Sequence, residues 1–295
     1  MTATNIGWTQ EVWNWATGCD RTSPGCLNCY AMAMAKRLKA MGSPKYQVDG
    51  DPRTSGPGFG VSVHEDVMFE PLGWRRGRLV FINSMSDIGH PRISRRALAR
   101  AWAVMALTTR HQYQALSKRP KRLAAILNDP DFVRAVAEEA TEIIGRTPQH
   151  HGRWRLDLCG GWTTCETGEG ALWSPPWPLP NVWVGTSIEL DEYCWRADVL
   201  RTVPAAVRFL SCEPLLGPLP SLDLTDIDWL IVGGESGAGF RPLDLSWVRD
   251  LRDRRGETAL FFKQVGGRTP KAAGRLLDGR TWDEYPSVDW GVVYA

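Results

Sequence analysis

The sequence predicts an α/β protein built on a parallel sheet, and three features predict it. Short apolar runs recur along the chain, each ends in glycine or polar residues, and amphipathic helical stretches separate them. Strands that alternate with helices pair in parallel with the helices outside, either as a closed barrel or as a doubly wound sheet. In both, ligands bind at the carboxyl ends of the strands.

The segment 13–30, "WNWATGCDRTSPGCLNCY", supplies a first strand position and then a cysteine-rich loop. "YAMAMAKRLKAMG" (30–42) reads as a helix from its good helix formers, basic second half and glycine stop. Residues 43–60 are glycine- and proline-rich loop. "GRLVFINSMSD" (77–87) is a strand ending in a polar turn, and "SRRALARAWAVMALTT" (94–109) a helix capped by Ser94. The pair repeats as the strand 111–120 and the helix 121–128.

From 129 to 180 the pattern breaks. The helix "PDFVRAVAEEATEIIG" precedes a Gly-, Trp- and Pro-rich stretch holding Cys159 and Cys165, which reads as an insertion and a candidate substrate-facing lid. Order returns with strands at 181–189, 206–217, 227–237 and 259–267 and helices at 190–203 and 245–256. Seven strand positions result. The chain divides into a first barrel part with its cysteine loop (1–128), the insertion (129–180), a second barrel part (181–267) and a C-terminal tail (268–295).

A net charge of +2 and a hydrophobic share of 43% suit a soluble globular protein, and no run has the apolar length of a membrane span. Nothing at the N-terminus reads as a secretion signal, so the expected location is cytoplasmic, with no membrane partner. In that reducing setting seven cysteines, an odd number, favour metal or redox chemistry over disulfides. The charge neither requires nor excludes nucleic acid, given basic patches at 73–78 and 117–122. The fifteen scattered tryptophans are expected in packing.

The strand ends read "NSMSD", "SKRP", "TSIE", "SCEP", "GGESG" and "KQVGG". Four carry a serine and a carboxylate, and the others carry Lys118 with Arg119 and Lys263 with Gln264. Helix capping accounts for some of these groups but not for lysines, so a polar site at one rim is expected. Ser187 and Glu189 share a strand face, Ser211 and Glu213 repeat that spacing, and Cys212 between them points to the core. Gly233 and Gly234, beside Glu235 and Ser236, would let backbone approach a ligand closely.

Cys19, Cys26 and Cys29 fall within eleven residues. Zinc would need a fourth ligand from His64, His90, Cys159 or Cys165, none with recognisable spacing. Buried unligated thiols fit poorly with the polar "DRTSPG". A cubane iron-sulfur cluster on three thiolates leaves its fourth iron open for a ligand.

The motifs "WNWATGC", "SPGCLNCYA", "INSMSDIGH", "SKRP", "NVWVGTSIE", "RFLSCEPLLGPL", "VGGESG", "RPLD", "FFKQVGG" and "LDGR", in this order, resemble the phage-associated three-cysteine-motif radical S-adenosylmethionine (SAM) family. The resemblance runs almost end to end and thins in the insertion. It implies a partial or closed β/α barrel of the radical SAM type, with a 4Fe-4S cluster on Cys19, Cys26 and Cys29 and SAM chelating the fourth iron. It further implies reductive cleavage of SAM to a 5′-deoxyadenosyl radical, and a flavodoxin- or ferredoxin-like electron donor. The larger class spaces its cysteines C-x3-C-x2-C, whereas the first gap here is six residues.

By position, the resemblance places Ser84, Ser86 and Asp87 where the superfamily receives the SAM amino group. Ser187, Glu189, Ser211 and Glu213 become candidates for the ribose or carboxylate, and Gly233, Gly234, Glu235 and Ser236 for the adenine. Lys118, Arg119, Lys263 and Gln264 are left for an anionic substrate or the SAM carboxylate. A nucleic-acid or nucleotide substrate is the preferred expectation, with a peptide or small metabolite open. Two other classes compete: a non-catalytic zinc or iron-sulfur module that docks a protein or nucleic acid, and a barrel enzyme using Glu189, Glu213 or Glu235 for acid-base chemistry.

Overall fold

Seven strands form one parallel sheet whose spatial order is their order in the chain: β1 (Glu11–Trp13), β2 (Leu79–Ile82), β3 (Gln112–Ser117), β4 (Val182–Ser187), β5 (Val207–Cys212), β6 (Trp229–Gly233) and β7 (Ala259–Gln264). The computed structural model describes residues 4–150, 152–164 and 171–287. Each strand pairs in parallel with the next. A doubly wound sheet would reverse its order at a switch point, and this one does not. Right-handed crossovers therefore keep returning to the same face, and the sheet curls into a half-barrel with helices outside. Among the described residues β7 does not pair with β1, so the barrel is partial.

The longer helices are α1 (Tyr30–Ala40), α2 (Arg95–Ala106), α3 (Pro120–Leu127), α4 (Pro130–Arg146), α5 (Trp195–Arg201) and α6 (Leu245–Arg254), with two single-turn helices, Glu65–Met68 and Glu70–Gly73, before β2. Ser94 caps α2 as its sequence predicts, accepting the Ala97 amide at 3.1 Å. The predicted helix at 190–203 is shorter, a 3-10 turn (Asp191–Tyr193) leading into α5.

Strand alternation splits the core in two. Val80, Ile82, Val184, Leu210, Leu230, Val232, Leu260 and Phe262 face the helices. Their odd-numbered neighbours Phe81, Trp183, Phe209, Trp229, Ile231 and Phe261 join Trp8 in a second cluster on the inner face. Trp229 is its centre, with the rings of Trp183 at 5.6 Å, Phe209 at 5.8 Å and Trp8 at 6.1 Å. Continued two residues further, the same alternation brings Ser187 and Ser211, paired in register, and then Gly233 and Lys263 to the inner face above this aromatic floor. It also sends Cys212 outward into the helix-side core, where it is fully buried, as the spacing predicts.

The described part of the 129–180 segment lies against α2 and the amino-terminal edge of β3, away from the strand ends. Phe132, Val136, Ala140 and Ile143 of α4 are buried in the helix-side core, with the Trp102 and Phe132 rings 6.0 Å apart. A hairpin (Gly161–Thr164 with Ala171–Ser174) is tied to α4 through the Trp173 amide and Thr141 Oγ1 at 2.9 Å. Asp157 accepts from the Arg110 amide at 3.0 Å and from its guanidinium at 2.9 Å, just before β3 begins. Exposed Cys159 sits there beside Thr109, while Cys165 lies outside the described residues.

The predicted tail folds back along β7. The Phe262 amide donates to Trp282 O at 2.9 Å and the Glu284 amide to Leu260 O at 3.0 Å. These bonds occupy groups that an open sheet edge would otherwise present for unwanted pairing. Residues 288–295 of the tail lie outside the described residues. Among the described residues no helix is long and apolar enough to cross a membrane.

Candidate functional site

The cysteine loop is carried to the strand-end rim by an extension of β1. Ala16 and Thr17 pair antiparallel with Ser62 and Val63, and Gly18 then bridges Ser86 in the turn after β2. Gly18 has a φ of +88° and a Cβ there would lie 2.2 Å from the Gly60 carbonyl oxygen, so only glycine passes. The six-residue gap that follows is anchored at its first residue. Asp20 accepts from Thr54 Oγ1 at 2.7 Å, Ser55 Oγ at 2.9 Å, His90 Nε2 at 2.9 Å and Arg92 at 2.6 Å. A 3-10 turn, Pro24–Cys26, returns the chain, and Cys29 becomes the residue that precedes α1.

A second anchor pins the far side of the loop. Asn28 Nδ2 donates to Glu235 at 3.0 Å and to Gly239 O at 2.8 Å, and Arg241, bound to Glu235 through Nε at 2.9 Å, reaches Pro24 O at 3.1 Å. Tyr30 OH donates to Ser84 O at 2.6 Å, joining α1 to the "NSMSD" turn.

Around this loop the rim is a series of ion pairs. Asp87 meets Arg119 at 2.7 Å, Glu189 meets Lys118 at 2.9 Å and Arg196 at 3.1 Å, Glu213 meets Lys263 at 2.8 Å, and Glu235 meets Arg241. The cations expected to face an anionic ligand thus already have partners in the protein. Gln264 is likewise engaged, donating to Gly234 O at 3.2 Å and Ser236 Oγ at 2.7 Å. Trp8 Nε1, from the aromatic floor, donates to Glu213 at 3.2 Å, and Ser211 Oγ lies 3.4 Å from the same oxygen.

Of the three residues expected at the SAM amino group, Asp87 is a hub. It accepts from Ser117 Oγ at 2.5 Å, the Gly89 amide at 2.8 Å, the Lys118 amide at 3.1 Å and Arg119. Ser84 Oγ pairs with Asn14. Ser86 Oγ is buried with no hydrogen-bond partner, and so is the second carboxylate oxygen of Glu189, Oε1. That oxygen faces the cysteine loop, since a Cβ on Gly25 would stand 3.2 Å from it and 3.2 Å from Lys118 Nζ. Asn83 Nδ2 and Arg196 Nε are orphaned as well, and such atoms at one rim are what a polar ligand would satisfy.

The glycines at the end of β6, Gly233 and Gly234, serve the protein's own packing. A Cβ on Gly234 would lie 1.9 Å from the Val265 carbonyl oxygen, and one on Gly233 would lie 3.0 Å from Glu213 Oε1. Gly234→Ala must push the end of β7 aside and is expected to cost about 1–3 kcal/mol. A urea unfolding midpoint equal to that of the wild type would contradict this packing.

The thiols are in unlike settings. Burial pushes the Cys19 thiol up to about 12, with the Asp87 charge adding to it and Arg119, 3.5 Å from the sulfur, working against it. Burial also raises Cys29, partly offset by the Met32 and Ala31 amides of α1. At Cys26 burial is outweighed by the Lys118 charge and by hydrogen bonds from Thr22 and Ser23, which hold the thiol below its ordinary value. Thiolate is the form that alkylates and binds metal. Among these three, Cys26 is expected to react with iodoacetamide first as pH rises, by about tenfold in rate at neutral pH. Peptide mapping of the metal-free protein checks it, and Lys118→Met should erase the lead.

Each thiol is within electrostatic reach of its neighbours, Cys26 acting on both Cys19 and Cys29, with two cations alongside. Among the described residues no three His, Cys, Asp or Glu side chains are drawn together as a metal-binding group. The donor chemistry nevertheless suits a thiolate-ligated cluster: three sulfurs on one doubly anchored loop, Lys118 and Arg119 to offset their charge, and uncommitted polar atoms on Ser86 and Glu189.

Asp20, Asn28, Arg196 and Arg241 are site residues with no spacing signal, and His90, considered above only as a zinc ligand, instead binds Asp20. Arg241 stood in the quoted "RPLD" and Asp20 in "DRTSPG", but their partners lie far away in the chain. A cleft of about 740 Å³ is found at the other edge of the sheet, where Val207 and Ala259 begin β5 and β7, and contains none of these rim residues. The family model described as "Protein of unknown function (DUF5131)" matches residues 3–286. No curated protein and no solved structure matches the chain.

Proposed function

The chain belongs to the DUF5131 family, and we propose that it is a radical SAM enzyme whose cluster is held by Cys19, Cys26 and Cys29. One observation carries the reading: the three-thiol loop and orphaned polar atoms of the rim, Glu189 Oε1 and Ser86 Oγ among them, lie at the carboxyl ends of one parallel half-barrel. When bound, a 4Fe-4S cluster with SAM would supply reductive cleavage of the sulfonium and hydrogen-atom abstraction.

The chain's own residues have definable tasks. Arg119 beside Cys19 and Lys118 beside Cys26 offset negative charge that would otherwise be costly to gather in a half-buried site. Glu235, Arg241 and Asn28 on one side and Asp20 on the other fix both ends of the six-residue gap. Glu189 Oε1 can accept from an ammonium or hydroxyl, and Ser86 Oγ can donate or accept. The aromatic floor below the rim keeps water from the inner face. The basic rim residues that favoured a nucleic-acid substrate are paired internally, which confines the proposal to the cofactor chemistry.

The test is anaerobic reconstitution with iron and sulfide, then incubation with dithionite and SAM. The proposal requires 5′-deoxyadenosine and methionine in equal amounts. Zinc as the bound metal, with no SAM cleavage, would support the docking-module alternative instead.

A further inference from the structure

Carboxylates answer only part of the basic run 117–122. Lys118 and Arg119 are paired at the rim, but Lys121 and Arg122, at the start of α3, form no ion pair among the described residues. Arg122 is taken up by backbone, donating to His90 O at 2.9 Å and Ile93 O at 2.6 Å. Exposed Lys121 instead lies over a ring, its Nζ 4.7 Å from the centroid of Trp195, the first residue of α5. Trp195 is still 40% exposed, and it is the one large apolar side chain exposed on α3 or α5.

A second ring stands nearer the thiols. Tyr193, half-buried in the turn before α5, has the Arg196 guanidinium 4.2 Å from its centroid and lies within electrostatic reach of Glu189 and Cys26. Arg196 is itself held by Glu189 at 3.1 Å and by Ser187 O at 2.8 Å, so the support of this ring is built into the rim.

Two rings, each with a cation beside it, suit a partner that brings planar π faces and negative charge together. A protein partner would want a contiguous apolar centre, which one exposed tryptophan does not supply. A nucleic-acid duplex keeps its base faces stacked inside, so the match is to unpaired bases and their phosphates. Glu192, exposed in the same turn as Tyr193, works against phosphate and should limit the affinity.

We infer that this surface binds single-stranded nucleic acid, a base stacking on Trp195, a phosphate meeting Lys121, and Tyr193 leading the strand toward Cys26. The inference rests on the radical SAM reading for the purpose of binding, which is to bring a nucleotide of the strand to the SAM site as substrate.

The probe is a labelled oligonucleotide of about 15 nucleotides, as single-stranded DNA, as single-stranded RNA and as the DNA duplex, titrated against the full chain by fluorescence anisotropy, with polyglutamate as a charge-only competitor. The expected result is binding of a single strand about tenfold or more tighter than of the duplex, with the DNA and RNA arms deciding which strand is preferred. Trp195→Ala should weaken it about tenfold, and Trp195→Phe should recover most of that loss, because stacking needs a π face. Lys121→Met should make the dependence of log affinity on log salt about 0.7 less steep, and Glu192→Gln should tighten binding about twofold. These are surface changes, so the melting temperature and dithionite-driven SAM cleavage without oligonucleotide should match the wild type. Absence of single-strand binding, binding indifferent to Trp195→Ala, or duplex or polyglutamate bound as tightly as the single strand overturns the inference. If the strand binds as expected but no SAM is cleaved in any protein, the binding surface stands and the cofactor reading falls.

Discussion

Alanine at Cys26 is expected to strip the reconstituted protein of iron and of SAM cleavage together. Cys26 is the one thiol of the three held below its ordinary value, by Lys118 and the Thr22 and Ser23 hydrogen bonds acting against burial. Two remaining sulfurs cannot complete the three-thiolate set, so iron should fall from about four atoms per chain to below one, and cleavage to background. The fold should hardly notice, because Cys26 is only half-buried and sits outside both main cores. Cys159→Ala is the control: that thiol is exposed at the opposite edge of the sheet and its loss should change neither quantity. Iron and sulfide assays on the two variants side by side decide it. Full iron in Cys26→Ala would remove this residue from the ligand set.

Glu189→Leu is expected to be the most destabilising rim substitution. Glu189 is completely buried between Lys118 and Arg196, and removing it leaves two cations facing each other without a counter-charge. Breaking a buried pair from one side costs about 3–5 kcal/mol. Glu189→Gln keeps the shape and an acceptor and should cost less, about 1–3 kcal/mol. The pH dependence has a definite sign. Burial pushes the Glu189 carboxyl up, but Lys118, Ser23 and Arg196 outweigh it and hold the group below the usual carboxylate value. A carboxyl depressed in the folded state binds its proton more readily when unfolded. Its stabilisation is therefore complete above the unfolded value of about 4.3 and fades as pH drops through the lower folded value. Urea midpoints measured from about pH 6 downward should fall more steeply below about pH 4.5 for the wild type than for Glu189→Gln. Parallel curves would mean that the pair contributes nothing to acid stability.

The parts of this molecule legible in the sequence are those set by local period. Apolar runs at 79–82, 182–187 and 229–233 announced strands, and the two-residue step from Ser187 to Glu189 and from Ser211 to Glu213 announced a shared face. The period that buried Cys212 outward also brought the serines to the rim. What local period could not show is pairing over distance. Asn28 and Glu235, 207 residues apart, meet because consecutive parallel strands bring the strand ends to one rim, and Trp8 reaches Glu213 from the inner-face floor. For the same reason Lys118, Arg119 and Lys263 read as free cations when each is matched to a carboxylate on another strand end, Lys263 reaching Glu213 across Gly233 of the strand between them. The insertion was legible as a break and as a helix at 130–146, but its seat on α2 depends on Phe132 finding Trp102. The tail carried no strand signal because it hydrogen-bonds to β7 through isolated residues such as Trp282 and Glu284.

The most direct measurement is the low-temperature electron paramagnetic resonance spectrum of the reconstituted, reduced protein before and after addition of SAM. An open iron on a three-thiolate cluster should give a signal of a reduced 4Fe-4S centre whose g-values shift when SAM binds, and Cys26→Ala should show neither signal nor shift. A reduced-cluster spectrum that SAM leaves unchanged, or a protein that takes up zinc and gives no signal at all, would contradict the assignment of Cys19, Cys26 and Cys29 to a SAM-binding cluster.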